Sequence, residues 1–146
     1  MGQTYKSLYK PENPSKYKGN PNSIICRSSW ERKFCSYCDK NEKIVQWGSE
    51  EFHIPYVSPV DGRVHRYFPD FIIKVKEQHE YKVYVVEVKP LKQTAPPKKR
   101  ARVTQSYISE AKTYAVNQAK WKAAEEFCAD RCIEFKIITE KELGIK

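Results

Sequence analysis

Arg66 to Val75 reads RYFPDFIIKV, a polar connection KEQHE occupies 76–80, and YKVYVVEVKP runs from Tyr81 to Pro90. Both apolar runs have strand character, yet each carries charge where a core strand should have none. Asp70 follows Pro69 in the first, and Glu87 and Lys89 interrupt Val85, Val86 and Val88 in the second. Ionised groups within a β-branched run are costly unless paired or bound to a cation. Residues two apart on a strand share a face, so Glu87 and Lys89 point the same way while Val86 and Val88 point to the core. If the two runs form a hairpin, Asp70 sits across from Glu87. Two converging carboxylates repel when ionised, and a hard cation such as Mg²⁺ relieves that repulsion through oxygen ligands. A lysine beside them can orient an attacking water and stabilise a phosphate oxyanion. The competing reading is a wet face with cross-strand ion pairs, Asp70 to Lys89 or Glu87 to Lys74.

The rest of the chain gives this stretch its setting. The 146 residues are one domain's worth of chain, with 27 Lys and Arg against 18 Asp and Glu, a net charge of +9. A pI near 9.3 favours a polyanionic partner, most simply nucleic acid. No apolar run approaches the roughly 20 residues of a membrane span. The polar, basic start reads as no signal peptide, so the chain is expected to be intracellular at synthesis. Five cysteines, an odd number, argue against an oxidised framework.

Residues 1–22 read as a basic, Pro- and Tyr-rich arm, either disordered or draped over the body that 23–146 form. Ser28 and Glu31 have capping-box spacing, and the helix they open runs to about Lys40 with Trp30, Phe34, Tyr37 and Cys38 on one stripe. Short strands follow at 43–47 and 51–57, Asp61-Gly62 signals a hairpin, and a strand covers 63–75. After the 81–89 strand, a stiff basic loop spans 89–102. A long helix then covers about 104–129, with Tyr107, Ala111, Tyr114, Gln118 and Trp121 on its stripe. A last strand runs over 132–138. This order predicts an α/β fold, a mixed β-sheet flanked by helices.

Pro69-Asp70, sixteen residues, then Glu87-Val88-Lys89 resembles the PD-(D/E)xK nuclease superfamily. More specifically, the chain is similar to the head-completion nuclease family of T-even-type tailed phages, itself similar to TnsA-type endonuclease subunits. The residues that carry this are Arg27 to Glu31, Trp47 to Glu51, Ile54-Pro55-Tyr56, the run HRYFPDF (65–71), Glu87 to Pro90, Pro96 to Lys99 and Tyr114 to Trp121. The resemblance implies a restriction-endonuclease-like core and a Mg²⁺-dependent DNA nuclease, with Mn²⁺ as substitute and no organic cofactor. Glu31, Asp70 and Glu87 would hold the metal, and Lys89 would be the catalytic lysine. Glu87 stands where TnsA-type sequences often have glutamine. The implied partners are double-stranded DNA and phage head, portal or neck proteins, and the implied setting is the virion or the host cytoplasm during assembly. Two further readings stay open: a non-catalytic DNA-contacting component of the head neck, and a subunit that cuts only with a partner.

Arg66, Lys92, Lys98, Lys99, Arg100 and Arg102 are the candidate contacts to DNA phosphates. Glu31 has a local explanation of its own, closing the box with Ser28. Zinc held by Cys35, Cys38, Cys128 and Cys132 is a weaker reading, since the first pair falls inside a helix. His65 near Asp70 is a possible general base with no evident partner.

Overall fold

The computed structural model describes residues 6–99 and 101–144. Its centre is a four-stranded mixed sheet in the order β3 (Ile44–Ser49), β6 (Phe71–Glu77), β7 (Glu80–Val88) and β8 (Glu134–Ile138). The first three are antiparallel neighbours, and β8 runs parallel to β7. That parallel step needs a crossover, supplied by α2 (Gln105–Ala129). Two-stranded ribbons lie outside this sheet: β1 (Ser7–Tyr9) with β2 (Ile24–Cys26), and β4 (Ile54–Val57) with β5 (Val64–Tyr67). Helix α1 is Ser29–Lys40, and a short α3 spans Glu140–Leu143. The mixed α/β architecture is the one the sequence predicts.

Both faces of the sheet are covered. On one, α1 and the β1–β2 ribbon close a core containing Phe34, Trp47, Phe71, Val86 and Val88. On the other, α2 and the β4–β5 ribbon close a second core around Ile54, Tyr56, Tyr67 and Trp121. Strand β7 therefore has a core on each side, which explains its continuous valine run. The strand predicted over 63–75 is two strands. The chain leaves the ribbon after Tyr67 and enters the sheet at Phe71, breaking at Phe68-Pro69-Asp70, where a proline cannot donate to a ladder.

Two predicted stripes are rotated. In α1, Tyr37 is 54% exposed, and Cys35 and Asp39 take the inner positions beside Phe34 and Cys38. In α2, Gln118 is exposed and Asn117 is buried in its stead. Sequence periodicity places the tyrosine inside, but the end of α1 is claimed by the segment preceding it.

That segment drapes over the body. Asp39 is fully buried and accepts hydrogen bonds from the Tyr9 hydroxyl (2.8 Å), Glu12 N (2.7 Å) and Asn13 N (2.9 Å). Lys16 Nζ donates to the carbonyls of Cys38, Asp39 and Asn41 at 2.8–2.9 Å, placing a cation on the negative end of α1. Tyr17 stacks edge-on against Trp47 and donates to Glu51 Oε1 (2.6 Å). Gly19 has φ +135°, a backbone conformation that residues with a Cβ rarely adopt, so the position calls for glycine. Low apolar content keeps such a segment from folding alone, but Tyr9 and Tyr17 have a ready surface in α1 and β3.

Burial pushes the Asp39 carboxyl up, but the hydrogen bonds from Glu12 N, Tyr9 and Asn13 N prevail and hold it below the usual range. Its contribution is therefore present above the unfolded carboxylate value and lost as pH falls through the lower, folded one. Asp39→Ala should lower the unfolding free energy by about 2–4 kcal/mol, the scale of lost hydrogen bonds to a buried charge. Urea denaturation at neutral pH measures this, and an unchanged midpoint would remove the clamp from the account.

Candidate active site

The β6–β7 register pairs Phe71 with Val86, and one further step sets Asp70 opposite Glu87 on the α2 side of the sheet. The expected juxtaposition is therefore present. Asp70 Oδ2 accepts from Val88 N at 2.8 Å, so the carboxylate is anchored to the strand that carries its partner. Glu87 is only 5% exposed. Its Oε1 accepts from the Tyr67 hydroxyl (2.7 Å), and its Oε2 lies 3.5 Å from Lys89 Nζ. The proposed wet-face ion pairs are not formed: Lys74 Nζ lies over the Tyr81 ring, 4.8 Å from its centroid. The face carrying Glu87 is covered.

The electrostatics follow from that cover. Burial pushes the Asp70 carboxyl well up, and the charges of Glu87 and then Glu31 push it further; the Val88 N–H and Lys89 oppose this and do not prevail. Glu31 is raised too, first by burial and also by Glu50, against hydrogen bonds from Arg27 N and Ser28. The Tyr67 phenol is held firmly protonated by burial and the adjacent Glu87 charge, so it stays a donor to that carboxylate. The site thus concentrates negative charge where water is scarce.

Glu31 stands at the third position of α1. Its N–H donates to Ser28 Oγ (3.1 Å), Ser28 Oγ donates back to Glu31 Oε2 (3.3 Å), and Arg27 N approaches Oε1 at 3.5 Å. The N-cap bond is therefore formed, but the box is not closed, because the carboxylate takes the Ser28 hydroxyl and faces Arg27 N in place of the Ser28 N–H; the same carboxylate is close enough to raise Asp70. Among the described residues, no three His, Cys, Asp or Glu side chains are arranged to hold a metal ion. The donor set nonetheless suits a hard cation. It is all oxygen and anionic, and Asp70 Oδ1 takes no hydrogen bond among the described residues.

Several members of the site are not evident in the sequence. Glu50 has φ +53°, a costly conformation for a residue with a side chain. Its N–H donates to the Asp70 carbonyl (3.1 Å), and its carboxylate takes Arg27 Nε at 3.1 and 3.2 Å. The turn from β3 into the next ribbon is thus tied to the backbone of Asp70. Lys120, on α2, places Nζ over the rings of Tyr56 (5.9 Å) and Tyr67 (5.7 Å). From sequence Tyr67 flanks the site as a phosphate contact or a core residue, and Lys120 is, with Gln118, a loosely matched candidate on the long helix; the crossover brings Tyr67 and Lys120 to Glu87 and leaves Gln118 exposed.

Other candidates lie elsewhere. Arg66 is exposed on β5, where alternation gives it the face opposite Tyr67. Lys92 falls in a 3₁₀ turn (Leu91–Thr94), and Lys98, Lys99 and Arg102 lie beyond it; all four are exposed, within a stretch that leaves β7 just after Lys89. Arg100 lies outside the described residues. His65 Nε2 pairs with Asp61 Oδ2 at 2.8 Å across its hairpin, which gives it a partner other than Asp70. Cys26 and Cys35 touch in the first core (Sγ to Sγ 3.4 Å), Cys128 is buried on α2 and Cys132 is exposed, so the four sulfurs of a zinc cage are not brought together.

Residues 41–140 match the family model described as the TnsA-like endonuclease N terminal. The chain is also 40% identical over 149 aligned positions to the "Head completion nuclease" of Enterobacteria phage T4, covering 97% of each sequence. The matched region spans the four-stranded sheet, both carboxylates on it, Lys89 and the crossover helix. Full-length similarity of this kind accounts for the whole domain, including the draped segment that the family model leaves out. The chain belongs to the TnsA-like endonuclease family, with a restriction-endonuclease-like domain built around the paired strands of Asp70 and Glu87.

Proposed function

We propose that this protein is a divalent-metal-dependent DNA nuclease acting on packaged phage DNA during head completion. The single observation that supports it best is the pairing of Asp70 with Glu87 on a covered sheet face, with Lys89 against Glu87. A purely structural protein has no reason to bury mutually repelling carboxylates beside a lysine. The biological setting is carried over from the T4 relative's name.

Asp70 and Glu87 would hold Mg²⁺ or Mn²⁺, with Glu31 completing the acidic set. When bound, the cation supplies electrostatic stabilisation to the phosphate as negative charge builds on it. The protein's own groups do the rest. Tyr67 fixes the rotamer of Glu87 through its hydroxyl. Val88 N–H fixes Asp70. Lys89 orients the attacking water and offsets charge on the phosphate, and the P–O3′ bond breaks opposite the incoming oxygen. Arg66, Lys92, Lys98, Lys99, Arg100 and Arg102 would grip the duplex backbone in a sequence-neutral, salt-sensitive way. Partner proteins of the head or neck would place the enzyme at the DNA end, in the virion or in the host cytoplasm during assembly.

Cleavage of duplex DNA in Mg²⁺ tests the assignment. Asp70→Ala and Lys89→Ala should each lose on the order of 10²–10³-fold in rate, the scale seen when one charge-stabilising group is removed. Persistent cutting by both variants would overturn the site. Activity that appears only on adding a head protein would point to a partner-dependent subunit.

The raised Asp70 carboxyl gives a test independent of turnover. A raised folded value favours the native state in acid, and that advantage is lost as pH rises through it. Asp70→Asn should therefore melt higher than the cation-free wild type at neutral and alkaline pH, with the gap closing on acidification. Saturating Mg²⁺ should raise the wild-type melting temperature by a few degrees, about 2–4 °C per kcal/mol of binding, and leave Asp70→Asn unmoved.

Glu31→Gln separates ligand from cap. Glutamine keeps the capping hydrogen bonds and removes the charge. The Mg²⁺ concentration for half-maximal cleavage should rise about tenfold, the lower end of the effect of altering a metal's surroundings, while the melting temperature does not fall. An unchanged Mg²⁺ requirement would leave Glu31 as a helix cap alone.

A further inference from the structure

Lys120 is the one cation of the long crossover helix whose surroundings are those of the catalytic face. It is half-buried, and the charges it senses are Lys89, Glu87 and Asp70. Burial and the neighbouring Lys89 pull its proton affinity down, and the two carboxylates restore only part of it. Among the described residues, no carboxylate lies within ion-pair distance of its ammonium, whereas Lys89 has Glu87 at 3.5 Å. Its contacts are with the Tyr56 and Tyr67 rings, at 5.9 and 5.7 Å from the centroids. These lie at the outer limit of about 6 Å for a cation over an aromatic face, so the rings aim the side chain without neutralising it. One turn earlier on the same helix surface, Asn117 is buried.

A desolvated ammonium beside a second lysine, with no anion of its own, is a site whose missing component is an anion. We propose that Lys120 binds a backbone phosphate of the duplex next to Glu87 and Lys89, making the crossover helix the second wall of the DNA seat. This rests on the nuclease reading above and extends it to a residue on another element. Glu87 then has a cation in its own strand that serves the reacting phosphate. Lys120, aimed by Tyr67, holds the strand in place across from it. The location also explains why the tyrosine that hydrogen-bonds Glu87 carries a lysine on its ring: one aromatic side chain sets the position of both a carboxylate and a cation.

The test is binding of a short DNA duplex by the full chain in the slow-cutting Lys89→Ala background, which keeps all three carboxylates, with Mg²⁺, followed by fluorescence anisotropy across a salt series. Adding Lys120→Met should weaken binding about five- to tenfold and lower the slope of log affinity against log salt by about 0.9, the value for one phosphate contact. Lys120→Arg should keep both, because it keeps the charge. In cleavage by the otherwise wild-type chain, Lys120→Met should raise KM more than it lowers kcat. An unchanged slope, or an equal loss in Lys120→Arg, would overturn the assignment while wild-type cleavage leaves the nuclease reading standing. Wild type that neither binds nor cuts duplex DNA would remove both. Should Lys120→Met fail to fold, amine labelling of the wild-type chain decides: duplex DNA should shield Lys120, and unchanged labelling overturns the proposal.

Discussion

Two carboxylates facing each other on adjacent strands, under cover, set the terms for this fold. Asp70 and Glu87 are brought together by the register of β6 and β7, and Glu87 has almost no contact with solvent. Left alone, such a pair would open the sheet or stay protonated. Each neighbouring element supplies a compensation. The β5 end gives the Tyr67 hydroxyl, β7 gives the Val88 N–H and Lys89, and the turn after β3 gives the Glu50 N–H to the Asp70 carbonyl. Burial of the remaining charge is still unfavourable, as the raised Asp70 carboxyl records. Under the proposed function, that deficit is what a bound cation would relieve.

The opposite face holds these groups still. Helix α1 begins at Ser28, and Glu31 faces the same acidic cluster, so the position of α1 sets part of the site's field. Its far end is fastened by Asp39 and Lys16 to the draped segment. The same segment reaches the β3 turn through Tyr17 and Glu51. A buried polar hub at the end of α1 and a strained turn at Glu50 thus belong to one chain of contacts. Residues that a composition-based reading sets aside as an arm are part of what positions Glu31 and Asp70.

Legibility in the sequence followed the range of the interaction. Asp70, Glu87 and Lys89 stand out because charge inside a β-branched run is locally improbable, and their strands are close in the chain. Ser28 and Glu31 are legible because a helix start is a local signal. Asp39 is not, since an acid in the last turn of a helix looks solvated until Tyr9 and the 12–13 backbone arrive from nearly thirty residues away. Lys120 is no more than a loose candidate beside Gln118 for the same reason: α2 carries several lysines, and only the parallel crossover decides which one meets Tyr67. Tyr37 and Gln118 show the limit of periodicity, which fixes a helix's stripe to within about one position and leaves its rotation to tertiary packing.

The charge distribution also orders the events of DNA cleavage under the proposed function. The exposed lysines and arginines around the 92–102 stretch project a positive field that draws in a polyanion arriving within roughly the Debye length of about 8 Å. The covered sheet face that carries Asp70 and Glu87 is acidic and repels the same polyanion at short range. A duplex can therefore be captured at the rim without its phosphate being seated. Seating requires the sign of that face to change, which a divalent cation on Asp70 and Glu87 accomplishes, and Lys89 and Lys120 then face the phosphate from two sides. Capture and commitment are separated by where the protein has buried its charges. Raising salt should act mainly on the first step, because exposed charges are screened and covered ones are not.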